Sequence, residues 1–162
     1  MAGFRAWKRN YFLFYHKTIT AIAVEIMKKY AIVTVDNDED ELFFMKEAFE
    51  ATEMFQVIAQ FESGDELIDW LNNNPTVLPE IILTDLNMPG KNGYDIIEDI
   101  TSHDQFSHLP VIITSTSSTK SIIDKCLALG AADYIVKPSS FIEYKFFIKD
   151  LYNAIKEKQI VK

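Results

Sequence analysis

The sequence predicts an α/β fold in which a five-stranded, doubly wound parallel sheet is covered by helices on both faces. Three observations support this prediction. Five short apolar segments alternate with five segments that have helical spacing. The apolar segments are hydrophobic along their whole length, which is typical of parallel strands buried on both faces. Finally, a length of 162 residues suits one domain.

The five predicted strands are short, and each ends at polar residues. They cover residues 31–35, 55–61, 81–84, 111–113 and 134–136. Right-handed crossovers between parallel strands bring their carboxyl ends to one edge of the sheet. Ligands of such folds bind at that edge, so the polar residues there are the first candidates for function.

The helices are predicted from capping residues and apolar spacing. Asp38 with Glu41, and Ser63 with Glu66, have the spacing of a capping box, in which two side chains cap each other's backbone. Gly130 is expected to end the fourth helix. The helices are expected after Asp38, after Ser63, and over residues 94–100, 122–129 and 141–158.

Charge divides the chain into two unequal parts. Residues 1–29 contain six Lys or Arg and one Glu, a formal charge of about +5. The rest of the chain carries about −13, which leaves the net charge at −8. An acidic body repels phosphate backbones, so we expect no direct binding to nucleic acid.

Residues 1–29 are interpreted as a basic, aromatic extension of a domain that covers residues 30–160. His16 and Lys17 interrupt its apolar region, and no run approaches the roughly 20 apolar residues of a membrane helix. A start assigned too early, a poorly ordered tail and a segment lying on a membrane surface all stay open. We expect a cytoplasmic protein without a transmembrane segment. The single cysteine, Cys126, fits a reducing compartment and is expected to be buried.

The polar residues at the predicted strand ends are acids, amides, hydroxyls and one lysine. They are Asp36, Asn37, Asp38, Asp85, Thr114, Ser115, Thr116 and Lys137. Crowded carboxylates repel one another and so favour a cation, and oxygen ligands select a hard ion such as Mg²⁺. A carboxylate can then act as a nucleophile toward phosphorus, with the cation and a lysine stabilising the transferred group.

Four segments together resemble the motifs of response-regulator receiver domains. They are residues 35–38, 83–90, 110–115 and 130–138, in the order and spacing of that family. The resemblance covers about residues 30–160 and implies a single-domain, CheY-like (flavodoxin-like) receiver with strand order 2-1-3-4-5. Such a domain regulates and is not an enzyme in its own right. It would accept a phosphoryl group from the phosphohistidine of a histidine kinase or phosphotransfer protein in a two-component system.

The resemblance also implies roles for individual residues around the phosphoryl group. Asp85 would be the phosphoacceptor, and Lys137 would contact the phosphoryl oxygens. Ser115 would be the switch hydroxyl and Tyr134 the switch aromatic. The peptide bond between Lys137 and Pro138 is expected to be cis, as in the family.

By the same resemblance, Mg²⁺ would be the cofactor. Asp36, Asn37, Asp85 and the backbone carbonyl of Asn87 would hold it. Asn37 departs from the family, which usually has a second carboxylate there; an amide oxygen ligates without charge. Asp36 itself or Asp38 would then compensate, and we expect weaker metal affinity.

Two side chains and one surface complete these expectations. Asn87 and Thr116 flank the site and would tune hydrolysis of the acyl phosphate. The face made by helix 4, strand 5 and helix 5 would bind a downstream protein, or allow a weak dimer in place of a monomer.

Two other functions stay open on the sequence alone. Asn37 could mark a pseudo-receiver, an interaction module that works without phosphate. Asp36 and Asp38 after an apolar strand also resemble the nucleophile and acid/base of haloacid-dehalogenase phosphohydrolases. No second acidic pair follows a later strand, which disfavours the hydrolase.

Overall fold

The five strands form one parallel sheet in the order β2-β1-β3-β4-β5, which confirms the predicted doubly wound topology. The computed structural model describes residues 29–161. The strands are β1 (Tyr30–Val35), β2 (Phe55–Phe61), β3 (Ile81–Asp85), β4 (Val111–Ser115) and β5 (Asp133–Val136). The chain order therefore reverses between β1 and β3, where such sheets form a crevice at their carboxyl edge.

In the described part of the chain, five helices alternate with the strands, as predicted. They are α1 (Glu39–Glu50), α2 (Gly64–Asn73), α3 (Gly93–Ser102), α4 (Lys120–Leu129) and α5 (Phe141–Glu157). Gly130 ends α4 in the left-handed conformation, with φ 108°, which costs glycine little. A capping box between Asn92 and Asp95 starts α3.

The start of α1 differs from the prediction in one respect. Asp38 does cap the helix, because its carboxylate accepts from the N–H groups of Asp40 and Glu41. The carboxylate of Glu41, however, accepts a hydrogen bond from Tyr144 on α5. The backbone N–H of Asp38 donates to Asp36. The capping box expected at this helix is therefore wrong, because both of its return partners are engaged elsewhere.

Two hydrophobic cores lie on the two faces of the sheet. One joins the strands to α1 and α5 through residues such as Phe49 and Ile148, both fully buried. The other joins them to α2, α3 and α4 through residues such as Leu67 and Ile97, and includes buried Cys126. Successive strand residues point to opposite faces, so a strand covered on both sides needs apolar residues throughout. This explains the unbroken apolar runs.

The basic extension expected over residues 1–29 lies, apart from Lys29, outside the described residues. Within the described part of the chain, no helix combines the length and apolar character that crossing a bilayer requires.

Candidate functional site

The carboxyl ends of four strands bring their polar residues to one edge of the sheet. Val35 pairs with Thr84, Asp85 with Thr114, and Ser115 with Val136. This register places the residues that follow β1 and β5 on either side of Asp85 and Ser115. The structure thus brings together Asp36, Asp85, Ser115 and Lys137, which the strand ends predicted.

The centre of the site is an ammonium group held between two carboxylates. The Nζ of Lys137 lies 2.6 Å from Oδ2 of Asp36 and 2.8 Å from Oδ1 of Asp85. All three side chains are at most 9% exposed. Ion pairs so little exposed to water are screened weakly. The lysine therefore balances two acids that would otherwise repel each other.

The second oxygen of Asp85 is fixed by the loop that follows β3. Its Oδ2 accepts a hydrogen bond of 2.7 Å from the backbone N–H of Asn87. Gly93 closes this loop, because its N–H donates to the carbonyl of Leu86 at 3.0 Å. A Cβ on Gly93 would lie only 2.9 Å from the carbonyl oxygen of Asp85. A glycine is therefore needed for α3 to approach the strand end so closely.

Burial and the ion pair have opposite effects on the pKa of Asp36, and also on the pKa of Lys137. Burial raises the pKa of Asp36 above its usual value, although hydrogen bonding and attraction from Lys137 lower it in part. For Lys137, burial favours the neutral amine, but the hydrogen bonds and charges of Asp36 and Asp85 outweigh burial and raise its pKa. Lys137 is thus a cation at neutral pH, and Asp36 carries its charge at a cost.

Ser115 lies at the end of β4 with its side chain fully buried. Its Oγ lies 3.4 Å from the amide nitrogen of Asn87 and 3.3 Å from the backbone nitrogen of Ser117. Tyr134 is half-buried, and its hydroxyl donates to the carbonyl of Ser117 at 2.7 Å. Ser117 thus joins the residues expected to form the switch. Sequence reasoning did not single it out, although it lies in an unbroken run of hydroxyl residues after β4.

The remaining candidates lie at the rim of the site. Asn37, Asp38, Asn87 and Thr116 are exposed. The Oδ1 of Asp38 accepts from two N–H groups of α1. Asp38 is therefore occupied as a helix cap, which opposes its use as a substitute metal ligand.

The donor set fits a hard cation, but with less negative charge than a site with a second carboxylate at position 37 would have. Asp36 and Asp85 supply two carboxylates, and Asn37 and the carbonyl of Asn87 can supply neutral oxygens. Among residues 29–161 no group of three His, Cys, Asp or Glu side chains is arranged to hold a metal. A cation here would share its only two charged ligands with Lys137.

The expectation of a cis bond before Pro138 is wrong. No cis peptide bond occurs in the described part of the chain. The trans form of a bond before proline is intrinsically favoured by about 0.5–1 kcal/mol. The backbone of Lys137 is also already fixed by a 2.8 Å hydrogen bond to the carbonyl of Ser115.

Comparison with known proteins agrees with this geometry. Residues 32–146 match the family model described as the response regulator receiver domain. The chain is 37% identical over 74 residues to the two-component response regulator ARR5 of Arabidopsis thaliana, which covers 46% of this chain and 40% of that protein. It is 25% identical over 134 residues to the hybrid signal transduction histidine kinase D of Dictyostelium discoideum, which covers 83% of this chain and 8% of that protein.

Among solved structures, the response regulator domain of Thermotoga maritima CheB has the same fold. The TM-score is 0.68 at 20% identity, and the match covers 83% of this chain and 99% of that one. The chain spans less than half the length of ARR5 and a small part of the hybrid kinase.

Proposed function

This chain belongs to the response regulator receiver domain family, a family of regulatory domains, and we propose that it accepts a phosphoryl group on Asp85. The observation that carries the proposal is the ammonium of Lys137 between Asp36 and Asp85. A negative nucleophile approaches a negative phosphorus centre only where fixed positive charge stabilises the transferred group. Lys137 supplies that charge at the carboxylate itself.

The proposed reaction is a transfer from a phosphohistidine. A carboxylate oxygen of Asp85 attacks phosphorus while the bond from phosphorus to the imidazole nitrogen breaks. The imidazole leaves with the bonding electron pair and takes a proton from solvent. Lys137 and, after rotation, the hydroxyl of Ser115 would hold the phosphoryl oxygens. Tyr134 would follow Ser115, because both contact Ser117.

Mg²⁺ is proposed as the cofactor of this transfer. Asp36, Asp85, Asn37 and the carbonyl of Asn87 would hold it, and it would neutralise charge on the acceptor and the phosphoryl group. Because Asn37 contributes no charge, we propose that the free protein binds the metal weakly. Asn87 and Thr116 border the site on its exposed side and would influence access of water to the acyl phosphate.

The proposed donor is a histidine kinase or phosphotransfer protein in the cytoplasm. The family and the similarity to part of a hybrid histidine kinase support this class of donor. The surface made by α4, β5 and α5 is proposed as the face that meets a downstream protein or a second copy. It already exposes apolar side chains, since Leu127 is 44% and Val136 43% exposed.

Asn37 keeps a second candidate open, a receiver fold that binds its partner without phosphate. The hydrolase alternative has no such support, because Asp38, its required acid/base, is occupied as the cap of α1. The two surviving candidates differ in what happens at Asp85.

Incubation with acetyl phosphate and Mg²⁺, followed by intact-mass measurement, tests the proposal. We expect the mass to rise by one phosphoryl group in the wild type and to stay unchanged in Asp85→Ala. Asp99→Ala, which removes an aspartate paired with Lys91 outside the site, is the matched control and should still be labelled. If the wild type is not labelled by acetyl phosphate and does not bind beryllofluoride, the phosphate-independent module is favoured.

A further inference from the structure

We propose that Tyr144 is a positioning residue, which holds the loops bearing Asp36 and Lys137 together through its hydrogen bond to Glu41. The proposal rests on the proposed function, because its consequence is the rate at which Asp85 is phosphorylated. The hydroxyl of Tyr144 donates to Glu41 and not to the acceptor or to Lys137. It acts on them through the starts of α1 and α5.

The contact joins two distant parts of the chain. Tyr144 lies in the first turn of α5 and is only 3% exposed. Its hydroxyl donates to Oε2 of Glu41, in the first turn of α1, 103 residues away in the chain. Each of these turns directly follows a loop of the functional site. One loop carries Asp36 and the other carries Lys137.

Hydrogen bonds connect Glu41 to Asp36 without a gap. The backbone N–H of Glu41 donates to Oδ1 of Asp38 at 3.3 Å. The backbone N–H of Asp38 donates to Oδ1 of Asp36 at 3.1 Å. A displacement of the first turn of α1 is therefore transmitted to the carboxylate of Asp36.

The loop that carries Lys137 is linked to the first turn of α5 by hydrogen bonds as well. Two residues after Lys137, both the N–H and the hydroxyl of Ser139 donate to Oε2 of Glu143, at 2.9 and 3.0 Å. Glu143 is the neighbour of Tyr144 in the first turn of α5. The Lys137–Asp36 ion pair then closes a ring that contains both loops and both helix starts.

The surroundings of Tyr144 keep its hydroxyl a donor. Burial, followed by the charge and hydrogen bond of Glu41 and the nearby charges of Asp36 and Asp38, raises the pKa of Tyr144 far above its usual range. The phenol is therefore protonated at neutral pH. When Lys137 turns toward a phosphoryl group, the Tyr144–Glu41 hydrogen bond keeps the first turns of α1 and α5 in the same relative position.

Four variants test the proposal, with Tyr152→Phe as the matched control. Tyr152 lies on the same helix and packs on Tyr30 and Phe55. We expect Tyr144→Phe and Glu41→Ala each to slow labelling by acetyl phosphate about fivefold, the size of one net hydrogen bond. The double variant should be no slower than either single variant. Glu41→Gln, which keeps an oxygen acceptor, should retain the wild-type rate, and so should Tyr152→Phe.

The nitrogen-15 NMR signal of the Lys137 ammonium provides a readout that lost packing alone does not move. We expect it to shift or broaden in Tyr144→Phe and to keep its position in Tyr152→Phe. An unchanged signal together with a wild-type labelling rate would overturn the proposal, even if Tyr144→Phe melts at a lower temperature. If the wild type is not labelled at all, the proposed function fails, and the ammonium signal alone still decides whether Tyr144 positions Lys137.

Discussion

Lys137 and Asp36 lie 101 residues apart in the chain, yet Nζ of Lys137 lies 2.6 Å from Oδ2 of Asp36. The same ammonium binds Asp85. One lysine thus neutralises the acids that follow two different strands, and its removal should have consequences beyond the loss of a single contact.

Substitution Lys137→Met should destabilise the domain. It leaves two poorly exposed carboxylates facing each other, and an uncompensated buried polar group costs about 1–3 kcal/mol. Thermal and urea unfolding without divalent cations would measure the loss. Added Mg²⁺ should restore part of it, because an ion that binds only the folded state stabilises that state.

Lys158→Met is the matched control for this change. Lys158 lies 2.7 Å from both carboxylate oxygens of Asp133, but its side chain is 56% exposed. We expect a loss of at most about 1 kcal/mol and no rescue by Mg²⁺. Equal effects of Mg²⁺ on the two variants would contradict a special role of Lys137.

Asp36→Asn should stabilise the domain at neutral pH. The pKa of Asp36 is raised in the folded state, so its ionisation lowers stability as the pH rises through the folded value. An amide removes this cost, and its single oxygen can accept either from the backbone N–H of Asp38 or from Lys137, not from both. The unfolding temperatures of variant and wild type, compared at pH 7 and near pH 3.5, should differ most at pH 7. A variant that melts below the wild type at pH 7 would show that attraction from Lys137 exceeds the cost of burial.

Asn37→Asp should strengthen Mg²⁺ binding. The new carboxylate would stand at the exposed rim, where Lys137 does not compete for it, and one more charged ligand should tighten binding at least about tenfold. Isothermal titration calorimetry measures this directly. Asn72→Asp adds the same charge at an exposed position on α2 and controls for long-range attraction. Equal affinities of Asn37→Asp and wild type would refute weak metal binding by the natural sequence.

Gly93→Ala should disturb the position of Asp85. The added methyl group would press on the carbonyl oxygen of Asp85 and on Cα of Leu86, both 2.9 Å away, at a cost of about 1–3 kcal/mol. We expect slower labelling by acetyl phosphate as well as lower stability. Gly90→Ala is the control. It is strained at φ +71°, by about 1–2 kcal/mol, but its Cβ meets nothing nearer than 3.9 Å. A wild-type labelling rate in Gly93→Ala would show that the loop adapts.

The sequence predicts the sheet and the central residues of the site because both follow from strand geometry. Unbroken apolar runs define the strands, and parallel strands bring the residues at their carboxyl ends to one edge. That reasoning places Asp36, Asp85, Ser115 and Lys137 together, where the structure has them.

Other features carry no local signal in the sequence. Glu41 has the spacing of a capping box, and only the tertiary contact with Tyr144 shows that its side chain is engaged elsewhere. The cap at Asp38, by contrast, is predicted by the sequence and is present in the structure. The cis bond before Pro138 is implied by the resemblance alone, and the described part of the chain does not contain it.

The site is assembled from the ends of β1, β3, β4 and β5, so no short continuous segment of the chain contains it. A partly folded chain that has not yet added β5 to the sheet lacks Lys137 at the acceptor, and Asp85 should then not be phosphorylated. Labelling of Asp85 would therefore report that β5 has joined the sheet. A donor that phosphorylates this domain would thus select molecules in which these four strands are assembled, without needing to recognise the fold itself.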